Sequence, residues 1–96
     1  MKRLIWAGPA RRDLFRIAAD AGELDRDLPL ILLERVEKAP LKLLDYPGMG
    51  TPLGSTRLRK WPVRKTPFIL IYAERGDTVE IRRVLHAASD WLALFS

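Results

Sequence analysis

The hydrophobic pattern changes period several times along the chain, and the last third is the most ordered. Phe68, Ile69, Leu70, Ile71 and Tyr72 form an unbroken run of apolar, β-branched and aromatic residues of strand length. A second run, Thr78–His86, carries Val79, Ile81, Val84 and Leu85. Gly76-Asp77 between them is a two-residue hairpin signal. With that pair as the loop, Tyr72 faces Ile81, Leu70 faces Arg83 and Phe68 faces Leu85. Ile69, Ile71, Arg82 and Val84 then lie on the other side. Both sides of the ribbon are largely apolar, so both must be covered.

Upstream, Lys2–Trp6 reads as a short strand ended by Gly8-Pro9, and Pro9 suits the first turn of a helix. Ala10, Leu14, Ile17, Ala18 and Ala21 recur at helical spacing and predict a helix over Pro9–Ala21. Arg12, Asp13, Arg16 and Asp20 fall off that stripe, and Gly22 reads as its stop. Asp27 as a cap and Pro29 in the first turn open a second helix, Leu28–Ala39, with Leu28, Leu32, Val36 and Ala39 on its apolar stripe. Pro40 forces a break at about 3 kcal/mol for an interior proline, leaving Leu41–Leu44 as a last or separate turn. The short link between the helices makes them an antiparallel hairpin. Asp45–Ser55, with two prolines and three glycines, reads as loop. Arg57–Val63 is a further strand, in which Pro62 marks an edge or an early end. Ala88–Phe95 is an apolar tail of about one helical turn, with Trp91 and Phe95 packing over the sheet end.

The resulting order is β-α-α-β-β-β, an α+β arrangement. Two helices cover one face of a small sheet, and no third long helix exists for the other. The expectation is therefore a bare, apolar face of the central hairpin bordered by arginines, serving as a binding groove or a dimer interface.

Composition sharpens this picture. The 96 residues fit one domain, 1–96, and no cysteine is available for a disulfide or a thiolate metal site. Lys and Arg number 17 against 12 Asp and Glu, a formal charge of +5, which favours nucleic acid or an acidic protein partner. No apolar stretch approaches a membrane span of about 20 residues, and no signal peptide is evident, so a cytoplasmic protein is expected. Phosphate-binding loops, dinucleotide fingerprints and metal clusters are absent from the sequence, and neither cofactor nor metal is expected.

Two clusters carry candidate chemistry. Arg57, Arg59, Lys60, Arg64 and Lys65 lie close together without an intervening acid, and Trp61 sits among them. They could grip phosphates with Trp61 as a stacking platform, or simply form a solvated strand edge that discourages aggregation. Arg82, Arg83 and His86 close the central hairpin. In a nuclease the arginines would stabilise a pentavalent phosphate and His86 would act as general acid or base, with Glu80 and Asp90 the other nearby titratable groups. As a structural residue, His86 would instead hydrogen-bond the C-terminal turn. Tyr72 could position a phosphate or serve as a core aromatic.

The run Thr66-Pro67-Phe68 followed by Tyr72, the Gly76-Asp77 turn, and the ending Glu80-Ile81, Arg83-Val84-Leu85-His86, Ala88 and Asp90-Trp91 resembles the RelE/ParE superfamily of bacterial type II toxins, the ParE-like branch most closely. Ala10-Arg11-Arg12-Asp13-Leu14 extends the likeness. Ala87 stands where the family usually has glycine, and Ser89 where many members have arginine. The resemblance implies a helical hairpin packed on a small, mostly antiparallel, twisted sheet. It also implies a toxin that inhibits DNA gyrase by binding, neutralised by a cognate antitoxin with an amphipathic, partly acidic arm. The alternative within the superfamily is a RelE-like, ribosome-dependent endoribonuclease, metal-independent and using Arg82, Arg83 and His86. Such activity usually goes with further Lys, Arg and Tyr near the C-terminus, which this tail lacks. A basic binding module without toxicity is the third reading. Residues expected at the target are Arg57, Arg59, Lys60, Trp61, Arg64, Arg83 and Trp91, with direct nucleic-acid contact possible. Those expected at the antitoxin are Phe68, Leu70, Tyr72, Ile81, Arg83 and Leu85.

Overall fold

The computed structural model describes residues 2–94; Phe95, expected over the sheet end, lies outside them. Strand β1 (Arg3–Trp6) enters helix α1 (Gly8–Leu24) with a proline in its first turn. The helix does not stop at Gly22. The Asp25 N–H still reaches the Ala21 carbonyl at 3.1 Å, and one interior glycine costs only about 1 kcal/mol. Helix α2 (Leu28–Lys38) follows. Asp27 does not cap it through its side chain; its N–H instead donates to the Asp25 carboxylate at 2.8 Å. Pro40 breaks the helix as expected, and Leu41–Asp45 forms a separate short helix, α3, with Leu43 fully buried.

Asp45–Ser55 is more than loop. A 3₁₀ turn, Pro47–Met49, and a two-residue strand β2 (Thr51–Pro52) lie within it. Strand β3 (Leu58–Pro62) precedes the hairpin of β4 (Phe68–Arg75) and β5 (Thr78–His86). The sheet order is β1-β5-β4-β3-β2, with β1 parallel to β5 and the other pairs antiparallel. Pro62 is tolerated because β2 pairs only with Arg59 and Lys60, leaving β3 an edge at its end.

The Gly76-Asp77 loop is present, with Gly76 at φ +59° as such a turn demands. Tyr72 faces Ile81, but beyond that pair the register shifts by one residue. Ile71 faces Arg83, Leu70 faces Val84 and Phe68 faces His86, which corrects the expected Leu70–Arg83 and Phe68–Leu85 pairings. Arg82 is the extra residue of a β-bulge. The bulge rephases the strand, so Val84 joins Leu70, Tyr72, Val79 and Ile81 beneath the helices.

The face away from the helices is not bare. Ile69, Ile71 and Leu85 are buried there by Leu53, from the segment after β2, and by Trp91, from a 3₁₀ turn at Trp91–Leu94. A second, smaller core therefore closes the side that two helices could not reach. Leu70, Tyr72 and Ile81 have no exposed surface at all, so the expected grouping of Phe68, Leu70, Tyr72, Ile81 and Leu85 on one open face does not occur.

Candidate functional site

The open apolar surface lies at the mouth between the helical hairpin and the sheet. Ile17, Ala21 and Leu24 of α1 and Leu28 and Leu32 of α2 form its roof. Pro67 and Phe68 form its floor over the buried Val84, and the groove encloses about 520 Å³. Its rim carries Arg16, Arg35 and Lys65 against the single acid Asp20, with the imidazole of His86 beside them. Lys65 is delivered to the rim by a turn in which it adopts φ +63°, uncommon for a residue with a Cβ. Arg35 fastens that turn by donating to the Lys65 carbonyl at 3.0 Å.

His86 stands at the groove edge with its ring edge-on to Phe68, centroids 5.6 Å apart. Its Nδ1 accepts the Ala88 N–H at 3.1 Å, and its carbonyl accepts from the N–H and hydroxyl of Ser89. It thus shapes the C-terminal turn while leaving the outer edge of the ring toward solvent.

The arginines beside it are committed elsewhere. Asp13 is 2% exposed and faces the core, not the polar side of α1 as the stripe suggested. Its carboxylate accepts Arg83 Nε at 2.7 Å, Arg83 Nη2 at 3.1 Å, the Val84 N–H at 2.9 Å and Arg16 Nη2 at 3.0 Å. Strand β1 ends at Trp6, so Asp13 takes over the edge of β5 where β1 no longer reaches. The carboxylate also holds the Arg83 guanidinium more firmly protonated than an ordinary arginine. Arg82, projected by the bulge, pairs with Glu80 at 3.1 Å. Arg82, Arg83 and His86 therefore do not converge on one point.

The basic run on β3 is divided by the strand's alternation. Arg59 turns to the helix side and donates to the carbonyls of Gly48 and Gly50, at 3.2 and 2.8 Å. Trp61, on that side too, donates from Nε1 to the Ala39 carbonyl at 3.1 Å and packs against the core. It ties α2 to the sheet, and its half-exposed surface borders a recess lined also by Lys38, Lys42 and Arg64. Lys60 points the other way, its Nζ 5.5 Å from the ring centre of the buried Trp91. Arg57 and Arg64 stay exposed at the two ends.

Tyr72 lies too deep for a phosphate. Its hydroxyl donates to the Pro47 carbonyl at 2.7 Å and accepts the Gly50 N–H at 2.9 Å. Burial pushes its pKa up. Among the described residues no cluster of His, Asp or Glu could hold a metal ion, and no helix is long and apolar enough to cross a membrane.

Sequence reasoning missed Asp13, although its spacing between Ala10 and Ile17 places it on the buried stripe. It named Lys65 only within the basic run of residues 57–65 and missed that Arg16 and Arg35, from two other segments, join it at one rim.

Comparison with known proteins agrees with this architecture. Residues 4–91 match the family model described as the ParE toxin of the type II toxin–antitoxin system parDE. A Sinorhizobium fredii protein that carries the toxin name Y4kP is 32% identical over 90 residues, covering 94% of this chain and 93% of the relative. A solved chain from the chromosomal ParDE toxin–antitoxin system of P. aeruginosa superposes with a TM-score of 0.78 at 25% identity. That match covers 90% of this chain and 96% of the other.

Proposed function

Since the chain belongs to the ParE toxins of type II toxin–antitoxin systems, we propose that it arrests growth in the cytoplasm by binding DNA gyrase, and that its cognate antitoxin silences it from the groove. The observation that carries the antitoxin reading is the apolar groove with a basic rim. An amphipathic segment with apolar residues at helical spacing fills such a groove, and Asp or Glu beside them meets Arg16, Arg35 and Lys65. The charges set the rate of encounter and its salt dependence, and the apolar contacts set the lifetime. A segment disordered alone and ordered on binding suits so small a domain.

Binding rather than RNA cleavage is favoured by the fate of the arginines. A phosphate-stabilising arginine needs a free guanidinium near the acid or base, and Arg83 is engaged by Asp13 through two of its nitrogens. Purified chain added to a gyrase supercoiling assay, alongside a translation reaction in which mRNA cleavage is followed, separates the readings. Inhibited supercoiling with intact mRNA supports the proposal. Unaffected gyrase with cut mRNA replaces it with the endoribonuclease alternative.

A further inference from the structure

The outward side of the helical hairpin carries a second apolar feature. Phe15 is 78% exposed and Leu30 is 72% exposed. Phe15 lies two positions from the buried Ile17, roughly 200° around the helix, so it points away from the core. Beside it is a notch of about 220 Å³ along the seam of α1 and α2, lined by Arg11, Leu14, Phe15, Ala18, Leu33 and Glu37. None of these residues lines the groove assigned to the antitoxin.

We propose that this face binds a second copy of the chain, each Phe15 seating in the notch of the other. The patch holds both a projecting ring and a recess. It also holds both signs of charge, Arg11 and Glu37 flanking the same recess. A two-fold interface requires such self-complementarity, because the same patch must serve on both sides. Across the two-fold, Arg11 of each copy approaches Glu37 of the other. A uniformly acidic arm is a poor occupant here, because Glu37 offsets its attraction to Arg11 at the recess.

The available area fits a reversible dimer. Helix α1 has 17 residues and α2 has 11, so the paired helices offer a face about 16–25 Å long and about 20 Å wide. Burying it on both copies removes roughly 600–1,000 Å², at the low end of specific interfaces. Self-association is therefore concentration-dependent, and both antitoxin grooves stay open in the dimer.

Sedimentation velocity of the full chain across the micromolar range tests this. The expected result is a monomer–dimer equilibrium that Phe15→Glu weakens by roughly tenfold or more, with an unchanged circular-dichroism spectrum because Phe15 supports no core. Leu30→Glu provides a second, independent disruption on the same side of the hairpin. Arg11→Glu should weaken the dimer, and Arg11→Glu combined with Glu37→Arg should restore it. A chain that stays monomeric throughout, a Phe15→Glu protein that dimerises like the wild type, or a charge swap that fails to restore association overturns the proposal.

Discussion

Replacing Asp13 by alanine should be among the most damaging single changes in this domain. The carboxylate is 2% exposed and accepts four hydrogen bonds, three from cationic nitrogens and one from the Val84 N–H. Its loss orphans the buried Val84 N–H, at about 1–3 kcal/mol. It also strands the guanidinium of Arg83. Breaking a buried ion pair from one side costs about 3–5 kcal/mol, but the Arg83 side chain is 28% exposed and that of Arg16 is 61% exposed. Water thus recovers part of the Arg83 loss, and the Arg16 contribution falls to about 0–1 kcal/mol. The net expectation is about 3–4 kcal/mol, a large share of the roughly 5–14 kcal/mol available to a chain of this length. Arg83→Met should cost less, about 2 kcal/mol, because Arg16 and the Val84 N–H still satisfy the carboxylate. Urea denaturation of wild type, the two single variants and the double variant closes a thermodynamic cycle, in which the coupling should reach about 1–3 kcal/mol. An Asp13→Ala loss below about 1 kcal/mol, or single effects that simply add, would refute the assignment of Asp13 as the clamp on β5.

Three further outcomes are expected. Tyr72→Phe should destabilise the fold by about 1–3 kcal/mol, by orphaning the Gly50 N–H. Because folding raises the Tyr72 pKa, its contribution is complete below the ordinary tyrosine value of about 10 and is lost as pH rises through the folded value. Stability measured from neutral to strongly alkaline pH should therefore fall more steeply in the wild type, and tyrosinate absorbance should lose its late-titrating step in the variant. Gly50→Ala should cost about 1–3 kcal/mol in thermal or chemical denaturation, since the added Cβ would collide with the Tyr72 hydroxyl and lie 2.8 Å from the Lys60 carbonyl. His86→Ala, at matched expression, should leave growth inhibition intact; a nuclease using this ring as acid or base would lose about 10²–10⁴-fold in rate.

The central hairpin was legible because its signals are local: a continuous β-branched run, a Gly-Asp loop and a second run of matching length. The break at Pro40 was legible for the same reason, a single residue incompatible with the helix interior. What could not be read depends on contacts between distant segments. The bulge at Arg82 accompanies the reach of Arg83 to Asp13, 70 positions away, and no local periodicity encodes it. Strand β2 is two residues long, too short to show any period. The second core under Trp91 and Leu53 joins the tail to a loop of turn-forming residues, so the side of the sheet judged open is in fact closed. The groove escaped notice because its roof comes from the end of one helix and the start of the next, and its floor from the start of β4, over Val84 of β5. For Trp61 the sequence gives the neighbours but not the Ala39 carbonyl that its indole N–H reaches.

The pairing of β1 with β5 has a consequence for the order in which the molecule is made. Arg3–Trp6 lies against Thr78–Ile81, so β1 waits for β5, made about 75 residues later. At roughly 5–20 residues per second, about 4–15 s separate their emergence. Helix α1 waits as well, because Asp13 meets Arg83 and Val84, its partners on the sheet, only when β5 is in place. During that interval the floor of the groove, Phe68 over Val84, is not yet in place beneath the helices. A partly translated chain therefore has neither a complete sheet nor a complete binding surface, and any partner that reads the finished groove meets the protein only once its final strand has joined the sheet.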